Sequence, residues 1–499
     1  MGQSKTLSEL GMTAKGGRRA DVTGLAVDSR NVKQGFLFAA LPGANLHGGE
    51  FISYALRMGA AAILTDVEGA RLAKAELAAS DAALVIAEDP RQTLAYAAAL
   101  WFGAQPETMV AITGTNGKTS VANFCRQIWM TLGFEAVNLG TTGVEGSWSA
   151  PLAHTTPEPI TLQRVLAQAD EAGITHAAME ASSHGLAQKR LDGVRLSAAG
   201  FTNLTQDHLD YHASFEEYFA AKSGLFERVL PEDAVAVVNM DDPRGQDIAT
   251  LARARGQDVL RVGKMDRSDL RILNRLFTAT GQTLRFSWRG AVHQLEIGLI
   301  GGFQSENLLL AAGLVIASGA DPERVFATLP SMTTVRGRMQ LAATRSNGAA
   351  VFVDYAHTPD AVKTALWALR PHVLGRMVAI VGAGGDRDKA KRPMMGRAAV
   401  EQADIVIVTD DNPRSEDPAV IRKAVVEGVL DAGGSDKYLE VADRAEAILR
   451  GVDMLGPGDA LLICGKGHET GQIIGDDILP FDDCEQASVA VSALDGDGV

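Results

Sequence analysis

The 499 residues provide for about three domains of roughly 150 residues each. Hydrophobic residues at 46% and charged residues at 22% match an ordinary globular protein and exclude disorder and fibrous repeats. Lys and Arg number 47 against 61 Asp and Glu, and the formal charge of −14 opposes nonspecific attraction to nucleic acid or to an anionic membrane.

The first residues, MGQSKT, lack the apolar core of a signal peptide, and no run reaches the roughly 18 apolar residues of a membrane helix. The expectation is a cytoplasmic protein without membrane insertion. Cys125, Cys464 and Cys484 lie far apart, without the spacing of a zinc cluster or a disulfide framework, which fits a reducing compartment. MGQSKT also matches a myristoylation pattern, and Asn203-Leu204-Thr205 a glycosylation sequon; both are read as chance.

From about residue 25, LAVDSR, FLFAAL, the helical GGEFISYALRMGA and AAILTD alternate short strands with helix. This small module closes near Glu88-Asp89-Pro90, and a helical run to Trp101 follows. MVAIT, THAAME, SAAGFTNL and AVAVVN then recur as apolar strands between helical patterns, the rhythm of a buried parallel sheet. LRFSWRG with VHQLEIGL reads as a hairpin, and GGFQSENLLLAAGLVIASGA as a buried helix. After Gly337-Arg338, AVFVDYAHTPD, MVAIVGAGGDRD, DIVIVTDDNPRSEDP and DALLICGKGHE each run from an apolar strand into a polar loop. Ligands of open α/β sheets bind beyond the carboxyl ends of the strands, so these loops predict a shared site. Pro418 after Glu416-Asp417 marks a helix start.

The fold class is therefore α/β with three domains: a small N-terminal α/β module over residues 1–88, a central P-loop-type parallel-sheet ATPase domain over 89–337, and a C-terminal Rossmann-like domain over 338–499.

The strongest local signal is Thr113-Gly114-Thr115-Asn116-Gly117-Lys118-Thr119-Ser120, set between a strand and a helix. Backbone N–H groups of such a loop point at phosphate oxygens, Lys118 adds a positive charge, and the Thr119 hydroxyl can coordinate Mg²⁺. The common Walker spacing wants a glycine where Ile112 stands, so the loop is a shorter variant. Glu180 ends the strand THAAME, where a carboxylate is either a metal ligand or a solvated strand-end acid. His208 and His212 sit four apart, a weak metal pattern without a third soft ligand.

TGTNGKT, EASSHGL, NLTQDHLDYH, the lysine in YFAAKSGLF, VRGRMQ, VDYAHTPD and GDRDKAKRP occur in the order found in the Mur ligase family, and the resemblance covers nearly the whole chain. DDNPR and GKGHE resemble the branch that adds diaminopimelate during peptidoglycan synthesis. The resemblance implies that Gly114, Thr115, Asn116, Gly117, Lys118, Thr119 and Ser120 bind ATP, with Asn307, Arg338 and Asp354 nearby. It implies Mg²⁺ on Thr119, Glu180, His208 and Lys222, the last as N6-carboxylysine formed with CO₂, and it assigns catalysis to Lys118, Glu180, His208 and Lys222. The bare reading of Lys222 is a surface helical lysine.

By the same resemblance Val27, Ser29 and His47 hold the uridine nucleotide of UDP-N-acetylmuramoyl-L-alanyl-D-glutamate, and Thr155, Thr156, Ser182, Gln188 and Arg190 line its muramoyl-peptide part. Arg387, Asp411, Asn412, Pro413, Arg414, Gly465 and Glu469 match the pocket for meso-diaminopimelate. A guanidinium grips a carboxylate in a bidentate way, and the far end of diaminopimelate carries one that lysine lacks. Two departures are Arg336, where relatives have proline, and His154, where they often have Asn.

The implied reaction transfers the ATP γ-phosphoryl group to the D-glutamate side-chain carboxylate, and the diaminopimelate amine then attacks the acyl phosphate. Water would destroy that intermediate, so domain closure is expected. A monomer is expected. The alternatives are a lysine-adding sibling, a folylpolyglutamate-type ligase and a nucleotide-dependent binding module without ligase activity.

Overall fold

The computed structural model describes residues 4–43, 46–205 and 214–496. They form two compact units, residues 1–271 with 307–328, and residues 272–306 with 329–499.

The first unit opens with a parallel four-stranded sheet of β1 (Gly24–Ala26), β2 (Phe36–Ala39), β3 (Ala62–Thr65) and β4 (Ala83–Ile86). Helix α1 (Pro90–Phe102) follows, with Asp89 accepting the N–H groups of Arg91 and Gln92 and Pro90 in its first turn. Proline there sacrifices only an N–H that has no helical acceptor, so Asp89-Pro90 starts the helix. α1 buries Leu94, Ala97, Ala98 and Trp101 in the module's core.

The second sheet of this unit is built on β5 (Thr108–Thr113), which runs into α2 (Lys118–Thr131). Val121, Phe124, Cys125 and Ile128 are fully buried, the spacing of one helical face. Each such large side chain contributes about 1.5–3 kcal/mol relative to exposure, so a charge at Phe124 would dislodge the helix that carries the phosphate loop. β6 (Ala136–Gly140), β7 (Gly143–Gly146), β8 (His176–Glu180), β9 (Ala198–Phe201), α3 (Phe215–Gly224), β10 (Val235–Asn239) and β11 (Asp258–Gly263) complete it. The strand order is β11-β10-β9-β5-β8-β6-β7, parallel except for β7 at the edge. β6, β7 and β11 are additions to the strands read from sequence. The carboxyl ends of β5, β6, β8 and β9 therefore open on one crevice.

The unit boundary passes through the strand Leu270–Thr278 and the predicted buried helix Gly302–Ala317. The predicted hairpin is present as Gly281–Trp288 paired with Ala291–Ile297, its turn residues Arg289 and Gly290 both at positive φ, as a two-residue hairpin turn requires.

In the second unit, β12 (Gln340–Thr344), β13 (Ala350–Asp354), β14 (Met377–Val381), β15 (Ile405–Val408), β16 (Tyr438–Glu440) and β17 (Ala460–Cys464) form a sheet of order β12-β13-β17-β14-β15-β16. All pairings are parallel except that of β12 with β13. The helices Pro359–Leu369, Lys391–Val400 and Pro418–Asp431 bury Leu366, Met395 and Val425 in one core, while Arg444–Asp453 and Asp483–Asp495 bury Ile448 and Ala487 in another. Asp417 caps the helix that Pro418 begins. A hairpin of β18 (Gly471–Ile474) and β19 (Asp477–Pro480) projects after β17. Among the described residues no helix is long and apolar enough to cross a membrane.

Candidate functional site

Two clusters lie one in each unit. In the first, β5 ends at Thr113 and the chain turns through residues 114–117 into α2. Gly117 has φ 86° and a Cβ there would stand 2.5 Å from Asn307 Oδ1, so only glycine lets the loop close beside the Asn307 amide. The leading N–H groups of α2 have no acceptor one turn back, which makes the loop a receptor for phosphate. Lys118 Nζ donates to Gly114 O at 3.0 Å and to Thr115 O at 2.8 Å. Asn116 N–H donates to Asn203 Oδ1 at 3.0 Å, and Thr115 N–H to Asn203 O at 2.8 Å. The end of β9 thus braces the loop.

Lys222 on α3 is not a surface lysine: it is 1% exposed, donates to Gly114 O at 2.7 Å, and places Nζ 4.5 Å from the centre of the Tyr218 ring. Glu180, 2% exposed at the end of β8, accepts the Thr141 N–H at 2.9 Å. It is a held acid rather than a solvated one. Thr156 donates its hydroxyl to Glu180 O at 3.0 Å and accepts the Ser182 N–H at 3.1 Å, while Arg190 donates to Thr156 O at 2.6 Å and to Gln188 Oε1 at 2.8 Å. Thr155 stands 3.1 Å from Thr141 through their hydroxyls. The structure therefore brings Thr155, Thr156, Ser182, Gln188 and Arg190 together with Glu180. Thr119 and Ser120 are half-buried in the first turn of α2. The oxygen donors of Thr119 and Glu180 suit a hard cation such as Mg²⁺. His208 and His212 lie outside the described residues.

Within the N-terminal module, Val27 is exposed past β1, Ser29 opens the turn Ser29–Asn31, and His47 follows β2. His47 Nδ1 accepts the Gly49 N–H at 2.8 Å, leaving Nε2 to donate to Asp66 at 3.1 Å. An open cavity of about 660 Å³ lined by Pro42, Asp66, Asp89 and Arg91 lies beside it.

The second cluster collects the loops beyond β13, β14, β15 and β17. Asn412 Nδ2 donates to Glu469 Oε2 at 2.9 Å, and Asn412 Oδ1 accepts the Ile473 N–H at 2.9 Å. Arg414 sits at φ 52°, donates Nη1 to Gly385 O at 2.8 Å, and is bound on its backbone by the β18–β19 hairpin, through Ile473 O at 3.1 Å and the Gly475 N–H at 2.8 Å. A Cβ at Gly385 would come within 1.9 Å of Pro413 O, so glycine is required for the two loops to touch. Arg387 is exposed beside them, its Nη1 donating to Asp386 O at 3.2 Å. Below, Glu416 accepts from Arg392 at 2.8 Å. That guanidinium, aided by the Asp386 N–H, pulls the Glu416 carboxyl down to about 2, so the clamp stays ionised through the mildly acidic range and is lost only as pH falls toward that value. Arg338 lies over the Tyr355 ring at 4.8 Å. Burial raises the Asp354 carboxyl, against the pull of the Met339 N–H donated at 2.7 Å.

Sequence reasoning passed over three supports of these sites: Thr141, Asn203 and the Arg444–Asp483 pair. Arg444 and Asp483 are wholly buried, joined at 2.7 and 2.8 Å, and Arg444 also donates to Cys464 O at 2.9 Å, just before Gly465. The signal available was an arginine and an aspartate each within the first turn of a helix, which does not reveal their pairing. Arg444→Met leaves Asp483 buried without its partner and is expected to cost about 3–5 kcal/mol, read as a lower urea midpoint with an unchanged slope.

Comparison with known proteins agrees with this geometry. Residues 21–102 match the model of the Mur ligase family catalytic domain, 112–315 that of the Mur ligase middle domain, and 337–467 that of the Mur ligase glutamate ligase domain. UDP-N-acetylmuramoyl-L-alanyl-D-glutamate--2,6-diaminopimelate ligase of Caulobacter vibrioides is 46% identical over 481 residues, 95% of this chain and 96% of that protein. The ligase of that name from Brucella melitensis is 45% identical over 475 residues, 95% and 94% of the two chains. A solved structure of a ligase with this name superposes with a TM-score of 0.77 at 32% identity, covering 98% of this chain and 99% of its own. Fold, phosphate loop and relatives together define an ATP-dependent ligase that forms amide bonds. The chain belongs to the Mur ligase family.

Proposed function

We propose that the chain joins meso-diaminopimelate to UDP-N-acetylmuramoyl-L-alanyl-D-glutamate with ATP in the cytoplasm, as a monomer of three domains over residues 1–88, 89–337 and 338–499. The observation that supports this reading is the Asn412–Glu469 bond, two residues from Arg414 on the same loop, since a carboxylate and a guanidinium are what the two distal charges of diaminopimelate need. Phosphate release measured with the muramoyl dipeptide nucleotide and each candidate amine in turn tests it. Release that depends on lysine as strongly as on diaminopimelate would overturn it in favour of the lysine-adding sibling.

In this mechanism the loop of Gly114, Thr115, Asn116, Gly117, Lys118, Thr119 and Ser120 holds the ATP phosphates. Lys118 leaves its two loop carbonyls to offset charge on the γ-phosphoryl group as it passes to the D-glutamate carboxylate. Arg190 and Thr156 orient the acceptor peptide beside Glu180. Val27, Ser29 and His47 anchor the distant uridine end, whose binding energy positions the reacting carboxylate. Arg387, Arg414 and Glu469 hold diaminopimelate so that its free amine meets the acyl carbon and phosphate departs. By the family resemblance Thr119, Glu180, His208 and carboxylated Lys222 would hold Mg²⁺, which would supply further charge neutralisation at the phosphates.

The buried position of Lys222 against the phosphate loop supports this role, because its amine and CO₂, with loss of a proton, give a carbamate whose oxygens suit Mg²⁺. Protein equilibrated with ¹³C-bicarbonate is expected to show a carbamate carbon resonance that Lys222→Ala lacks. An identical signal in the variant would end the assignment.

A further inference from the structure

Lys466 belongs to none of the roles above, yet it is among the most buried charged side chains of the second unit, with no exposed surface. Its Nζ donates to Asn412 Oδ1 at 3.0 Å and to Glu469 Oε2 at 3.3 Å. The same Glu469 oxygen also accepts from Asn412 Nδ2. One carboxylate oxygen is thus taken up within the protein, and Oε1 carries none of these bonds. A buried cation that only braced a loop would be a costly brace, since neutral groups of the same shape serve as well.

We infer that Lys466 is a specificity-determining residue: it sets the charge of the amino-acid pocket so that an amine lacking the distal carboxylate is rejected. The inference rests on the diaminopimelate reading proposed above. Lys466 is lodged against Glu469 and leaves that carboxylate a weaker partner for an added ammonium. Diaminopimelate with its attacking amine neutral carries a distal carboxylate for Arg414 beside its distal ammonium, and the first offsets the weak hold on the second. Lysine in its reacting form carries one carboxylate and one ammonium, and its distal ammonium meets Glu469 already partnered by a cation. Arg414 is then left without its carboxylate.

Substitution of Lys466 tests this. In Lys466→Met, which keeps length and removes charge, the ratio of kcat/KM for diaminopimelate to that for lysine is expected to fall roughly tenfold or more, as expected when a like charge within about 6 Å is removed. A merely structural role would lower the melting temperature and both kcat/KM values together, and an unchanged ratio overturns the inference. Should Lys466→Met fail to fold, Lys466→Gln, which keeps a donor for Asn412 and Glu469 without the charge, is read for the same ratio with the same two outcomes. Wild-type protein that releases no phosphate with diaminopimelate removes the proposed function itself, a result separate from either ratio.

Discussion

Lys118→Met is expected to reduce phosphate release by about 10³-fold while leaving the melting temperature within a few degrees of wild type. The size follows from the chemistry, since one fixed positive charge at a transferring phosphoryl group is worth a factor of about 10² to 10⁵ depending on the enzyme. The small effect on folding follows from the structure. Lys118 is half-buried, and it donates to the loop carbonyls Gly114 O and Thr115 O, bonds worth about 1 kcal/mol each and open to replacement by water. Lys222 also donates its N–H to Gly114 O, so that carbonyl keeps a donor in the variant. Retention of activity to within tenfold would show that the phosphates are held elsewhere.

Arg414→Lys is expected to lower kcat/KM for diaminopimelate by about 10²-fold, mainly through KM. A lysine keeps the charge but cannot present two parallel N–H donors to a carboxylate. Leaving one buried charged group imperfectly paired costs on the order of 2–5 kcal/mol. The backbone is spared, because a lysine tolerates φ 52° as well as an arginine does, and the bonds to Ile473 and Gly475 are made by main-chain atoms. Steady-state kinetics with varied diaminopimelate at saturating nucleotide checks this. An unaltered KM would remove Arg414 from the pocket.

What could be read from the chain alone divides along physical lines. Strands such as Thr108–Thr113 and Ala460–Cys464 are buried on both faces, so they appear as apolar runs broken abruptly by polar loops, and the ligand-binding edge is visible with them. The hairpin Gly471–Pro480 is half-buried to exposed along its length, carries no alternation, and escaped notice, although it fixes the backbone of Arg414. The edge strand Gly143–Gly146 escaped because two of its four residues are glycine, which reads as a turn. Glu180 and Lys222 were ambiguous because a carboxylate at a strand end and a lysine on a helix are normally solvated; only their burial shows them to be held. Lys466 was passed over inside the GKGHE segment, since nothing in a glycine-flanked lysine reveals that it points inward. The bonds among Lys466, Asn412 and Glu469 span up to 57 positions, and such pairings belong to the tertiary structure.

The residues assigned to amine choice, Arg387, Asn412, Arg414, Lys466 and Glu469, all come from strand ends of a single compact unit, while the phosphate loop and Glu180 belong to the other. On the proposed assignment, selection of the incoming building block and activation of the acceptor are thus written on separate stretches of chain. A lineage could exchange one wall chemistry for another by altering a few loops after β14, β15 and β17, without disturbing the machinery that spends the nucleotide.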